Sequence, residues 1–109
     1  MVDDAVIRKV IGTLLATAPG SAVFLFGSYA QGNARPHSDL DLLVVEPGTP
    51  NRIAEMFRLR KAVEAVLAPY LIPVDVVVMS RDRFEHWKDT PNTLAHAASR
   101  TGKLYESVG

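Results

Sequence analysis

Apolar residues recur at helical spacing near the start of the chain, where Val6/Ile7, Val10/Ile11 and Leu14 fall on one side of a 3.6-residue repeat. Asp3 and Asp4 stand where a cap and a first-turn acid support a helix, so the spacing predicts a helix to about Thr17, stopped by Pro19-Gly20. The period then changes. Ala22 to Phe26 is a short apolar run without alternation, the pattern of a strand covered on both faces. Gly27 to Ser38 is small and polar and reads as a loop with room for a helical turn, and Leu40 to Val45 is a second strand broken only by Asp41. Pro47 and Gly48 end it, and Thr49-Pro50 offers a cap followed by proline at the first helical position. The long helix expected next has Ile53, Met56, Phe57, Val63, Val66/Leu67 and Tyr70 as its apolar stripe, with Arg52, Arg58 and Lys61 on the wet face, and Pro69 closes it. Val74 to Met79 is a third strand. Ser80 can cap a short helix through Trp87 with Asp82 in its first turn, a further helix is expected from Pro91 to Ser99, and Lys103-Leu104-Tyr105 suits a short edge strand.

These elements predict a single α/β (α+β) domain over residues 1–109, with a small mixed sheet of three or four strands flanked by helices. The length of 109 residues fits one domain, and 48% apolar with 22% charged residues is too apolar for a disordered chain. No apolar run approaches the roughly 20 residues of a membrane span. The acidic Met-Val-Asp-Asp start is unlike a basic signal-peptide n-region, so the cytoplasm is the expected compartment. The absence of cysteine excludes disulfides, thiolate metal sites and a cysteine nucleophile. Twelve basic residues balance twelve acidic ones, which argues against a nucleic-acid partner held by bulk charge.

Three carboxylates fall inside or beside predicted strands, where burial disfavours them. Asp39 and Asp41 are two apart and project from the same face of a strand, close enough to repel. Asp75 interrupts an otherwise apolar strand, and a carboxylate buried there without a partner costs several kcal/mol or takes up a proton. Divalent cations resolve both conflicts, since Mg²⁺ prefers carboxylate oxygen and three such groups on one sheet face could hold two ions. Upstream, the small residues Gly27-Ser28-Tyr29-Ala30-Gln31-Gly32 let backbone amides approach an anion, and a helical turn beginning at Ser28 would cradle phosphate oxygens. Together the two halves suit a metal-bound nucleoside triphosphate.

Gly27-Ser28, ten intervening positions and then Asp39-Leu40-Asp41 form a pattern that resembles the minimal nucleotidyltransferases (MNT-type antitoxins) of the DNA polymerase beta superfamily, with Ala30, Gly32, Ser38 and Leu42 flanking it as in that family. From average residue usage the four fixed residues would match by chance in roughly one chain in a thousand of this length. The resemblance implies that Gly27 and Ser28 bind the triphosphate and that Asp39 and Asp41 hold both of two Mg²⁺ ions. By the same resemblance Asp75 is the third carboxylate, a metal ligand also placed to take a proton from an acceptor hydroxyl. It implies nucleotidyl transfer with ATP as the expected donor, and a HEPN-domain toxin as the partner whose tyrosine receives AMP. Gln31 stands where many relatives carry arginine, which implies one charged phosphate contact fewer; Arg35 lies near enough in sequence to substitute. Two other classes of function stay open at the level of sequence: a catalytically silent antitoxin acting by binding, and a nucleotide-sensing module.

Each signal also has a plainer explanation. Gly27-Ser28 alone is a strand-ending turn with a capping serine, and Asp39 and Asp41 alone could cap and pair with Arg35. Arg81 and His86 echo the Arg-x4-His of HEPN ribonucleases, but Lys88 occupies the tyrosine position of that motif and no helical bundle fits here. His37 suits a solvated loop. His96 and Trp87 suit packing or surface positions, and Arg58, Arg60 and Lys61 suit a solvated helix face.

Overall fold

The computed structural model describes residues 2–48 and 51–106. Helix α1 (Asp4–Thr17) starts as its sequence predicts, with the Asp3 side chain accepting from the Val6 N–H and Ile7, Val10, Ile11 and Leu14 buried. Strand β1 (Ala22–Phe26) leads through Gly27 into the one-turn helix α2 (Ser28–Gln31), and β2 (Leu40–Glu46) returns antiparallel to β1. Helix α3 (Arg52–Leu67) crosses over to β3 (Val74–Ser80), which pairs parallel to β2. Helices α4 (Arg81–Trp87) and α5 (Leu94–Thr101) precede β4 (Lys103–Glu106), which pairs antiparallel to β1. The sheet order is β3-β2-β1-β4, so β1 and β2, the most continuously buried strands, are the two central ones.

Strand alternation divides the core in two. Val23 and Leu25 of β1, Leu40, Leu42 and Val44 of β2 and Val74, Val76 and Val78 of β3 pack with α1 and α3. Phe24, Leu43 and Val45 point the other way and meet Phe84 of α4 and Ala95 and Ala98 of α5, with the Phe24 and Phe84 rings stacked at 5.0 Å.

Two boundaries differ from the sequence expectation. The N-cap of α3 is Asn51, whose side chain accepts from the Ala54 N–H; the expected cap at Thr49-Pro50 lies outside the described residues. Helix α5 begins at Leu94 rather than Pro91, because Asn92 adopts φ +66°, outside the helical region, and Thr93 takes the cap, accepting from the His96 N–H.

The α3 stripe also needs correction. Leu59, Val63 and Leu67 are buried at i, i+4 and i+8, whereas Ile53 is 50% exposed, Phe57 63% and Tyr70 46%. Tyr70 lies past the helix, in the 3-10 turn Ala68–Tyr70, which has Pro69 at its second position.

Candidate active site

Gly27 ends β1 with φ +73° and ψ −155°, a backbone conformation almost confined to glycine. A Cβ at this position would collide with the Asp41 carboxylate. The absence of a side chain thus lets the start of α2 lie against the acid, with Phe26 and Asp41 facing each other in the β1/β2 register. Helix α2 is held from beneath by Tyr29, which is buried in the main core and whose hydroxyl accepts from the Val2 N–H at 3.3 Å. N–H groups of a first helical turn lack intrahelical acceptors and suit an anion.

Asp41 stands opposite Asp75 in the parallel β2/β3 register. Both belong to the sheet face that α4 and α5 cover further along, at the end those helices leave uncovered, and Asp39 precedes β2 with the same strand parity. The Leu40 N–H donates to the Pro73 carbonyl at 3.0 Å and ties the entries of the two strands together. Burial, then the negative charges of Asp75 and Asp39, raises the pKa of Asp41 above the ordinary carboxylate value. Among the described residues no lysine, arginine or histidine makes an ion pair with any of these acids, so the alternative pairing with Arg35 is not formed.

The expectation of a buried Asp75 is corrected. Asp75 is exposed, because it lies at the uncovered end of the edge strand, and the burial falls on the half-buried Asp41 instead. The acids also do not form a ready-made cage: among the described residues no three His, Cys, Asp or Glu side chains converge as a metal site. The donor set nonetheless fits a hard dication, being carboxylate oxygen alone, mutually repelling and without a protein cation to balance it.

A family model for the nucleotidyltransferase domain matches residues 7–98, the span from α1 through α5 that contains all five of these site residues. The chain belongs to this family. Nucleotidyl transfer is accordingly the class of activity its fold serves. A search of curated proteins finds no match. Among solved structures the chain is similar to a toxin–antitoxin protein determined with AMP-PNP, at 25% identity and a TM-score of 0.67 over 92% of this chain and 73% of that one. It is similar to a variant of the MntA-HpeT toxin–antitoxin, at 25% identity and a TM-score of 0.66 over 98% and 75% of the two chains. A candidate minimal nucleotidyltransferase matches at 28% identity and a TM-score of 0.63 over 92% of both chains.

Two residues outside the expected site set, one beside this nucleotidyltransferase site and one remote from it, are buried where the sequence reading assigned them no role. Tyr29 is one, and a lone large aromatic within a run of small polar residues was its only signal. Glu46 is the other: it is buried at the far end of β2, and its Oε2 and the Oγ of Ser21 have no hydrogen-bond partner. Arg81 and His86 lie on α4 and are exposed, and the described residues between α4 and α5 form a turn, so the HEPN-like spacing sits on a single short helix. Among the described residues no helix is long and apolar enough to cross a membrane.

Proposed function

We propose that this single domain is a minimal nucleotidyltransferase acting in the cytoplasm, which transfers AMP from ATP to a hydroxyl side chain of a HEPN-domain toxin and so serves as its antitoxin. The observation that carries the reading is the packing of Gly27 directly against Asp41, with Asp75 across the register: a phosphate-binding turn and an acid pair meet at one end of the sheet. Similarity to a toxin–antitoxin protein determined with AMP-PNP supports the nucleotide, and similarity to MntA-HpeT supports a protein partner. A net charge of zero favours a protein acceptor over a polynucleotide.

The roles follow from position. Gly27 and Ser28 bind the triphosphate through backbone amides and the serine hydroxyl. Asp39, Asp41 and Asp75 would hold up to two Mg²⁺ ions, which when bound neutralise phosphate charge and lower the pKa of a coordinated hydroxyl. Asp75, exposed and so open to an acceptor, takes its proton. The acceptor oxygen attacks the α-phosphorus in line, a phosphoester forms, and the bond to pyrophosphate breaks.

The test is mass spectrometry of the toxin co-expressed with this chain. An added AMP on a hydroxyl side chain is expected with the wild type and none with Asp39→Ala/Asp41→Ala. A toxin that is neutralised but unmodified would replace this reading with the silent-antitoxin one, and nucleotide binding without pyrophosphate release would favour the sensor.

A further inference from the structure

Ser38 closes the loop that delivers Asp39 to the sheet. Its Oγ accepts from the Arg35 N–H at 2.7 Å, while its own N–H donates to the Arg35 carbonyl at 3.0 Å. Residues 35–38 thus form a turn bonded in both directions, with Pro36 at the second position, where its fixed φ suits such a turn. On the other side of Asp39, the Leu40 N–H is held by the Pro73 carbonyl at 3.0 Å. Asp39 therefore sits between two anchored residues although it lies outside β2 and is itself exposed. The second anchor is backbone only and common to any pairing of these strands. The first combines a backbone bond with one from the Ser38 hydroxyl, and only the hydroxyl can be removed by substitution.

We propose that Ser38 is a positioning residue whose hydroxyl, through the Arg35 turn, fixes the direction in which Asp39 presents its carboxylate beside Asp41. This rests on the reading of Asp39 as a cation-binding acid. A carboxylate beside other carboxylates swings away from them when its backbone is free to turn, so holding it in place against repulsion is part of making the site. The turn is at the surface, and the Arg35 N–H can find water once the hydroxyl is gone. Loss of Ser38 should therefore be felt at the acids more than in overall stability.

The experiment titrates Mn²⁺ into the full chain together with a non-hydrolysable ATP analogue, with bound metal read by electron paramagnetic resonance and exchange of the Arg35 amide followed by NMR. Ser38→Ala should weaken Mn²⁺ binding about three- to tenfold, the range expected for one lost hydrogen bond, and should speed exchange at Arg35. Ser38→Thr, which keeps the hydroxyl, should stay within about twofold of wild type on both readouts. Ser38→Cys, whose thiol accepts poorly, should follow alanine and serves if the alanine variant fails to fold. Wild-type Mn²⁺ affinity in folded Ser38→Ala or Ser38→Cys overturns the proposal alone, and so does a threonine variant as weak as alanine. If Asp39→Ala binds Mn²⁺ as tightly as wild type, the reading of the acids falls and the proposal with it.

Discussion

At the scale of single residues, Gly27 and Glu46 show how differently a local conflict can be used. At Gly27 both the positive φ and the contact with Asp41 exclude a side chain, so Gly27→Ala must distort either the turn or the acid. Its cost is expected to be about 1–3 kcal/mol of stability, with nucleotidyl transfer lost in the protein that remains folded, measured by denaturant unfolding and by labelled-nucleotide incorporation. Glu46 is a conflict with no evident role in the site. Burial first, and then the charge of Glu55, raises its pKa above the ordinary carboxylate range, with Arg58 pulling it back. A carboxyl whose folded pKa is raised binds its proton more tightly in the folded state, so the stability it supplies is present in acid and lost as pH rises through the folded value. Glu46→Gln should therefore be more stable than wild type at about pH 8, and the difference should shrink as the pH is lowered into the range where Glu46 is protonated; equal melting temperatures at both ends would count against a desolvated carboxylate. The buried strand carboxylate expected at Asp75, which is exposed, is found instead at Glu46. The sequence shows that a strand contains an acid. It does not show which end of that strand a helix covers.

At the scale of elements, most of the chain was legible because periodicity and caps agree. The Asp3, Ser80 and Thr93 side chains accept from the first turns of α1, α4 and α5, two of these caps standing where the sequence placed them. Helix α3 was legible as a helix, and Val63 and Leu67 of its expected stripe are buried with Met56 and Val66 packed beside them, but the width of that stripe was not legible. Ile53 and Phe57 are exposed at the edge of that stripe, whereas Leu59, which completes the buried face with Val63 and Leu67, was hidden between Arg58 and Arg60. The charged neighbours settle the rotation: Arg58 donates to the Thr17 carbonyl at 3.0 Å and pairs with Glu55, while Arg60 pairs with Glu64 at 2.9 Å. Leu59 is fully buried, so Leu59→Ala is expected to cost about 2–5 kcal/mol through lost transfer energy and a residual cavity. Phe57 is 63% exposed, and Phe57→Ala should stay within about 1 kcal/mol of wild type. Chemical denaturation of the pair checks this directly; the reverse order would mean that the helix is rotated in solution.

At the scale of the whole molecule, the sequence limits the sheet to a few arrangements and the connections choose among them. A sixteen-residue helix between β2 and β3 allows a parallel crossover, while the short polar segment after β1 brings β2 back antiparallel. That order places Asp41 and Asp75, 34 positions apart, in one register row, a placement that the Gly-Ser/Asp-x-Asp pattern alone does not contain. The carboxylates then act on the stability of the whole fold. Asp41 is raised in pKa by burial and by Asp75 and Asp39, so without a counter-ion the folded state carries a repulsion that unfolding relieves. A ligand that binds only the folded arrangement stabilises it by mass action, by about 2.7 kcal/mol at a hundred times its dissociation constant. Mg²⁺ with a non-hydrolysable ATP analogue should therefore raise the melting temperature of wild type. Asp75→Asn should lose most of this rise while melting no lower than wild type in the absence of metal, because it removes one member of a repelling set from an exposed position and leaves the core contacts of β3 in place. Thermal denaturation with and without Mg²⁺ separates the outcomes. An equal rise in both proteins would take Asp75 out of the cation site and leave it only the role of receiving the acceptor's proton, whereas a variant that melts lower without metal would show that Asp75 supports the β2/β3 pairing itself.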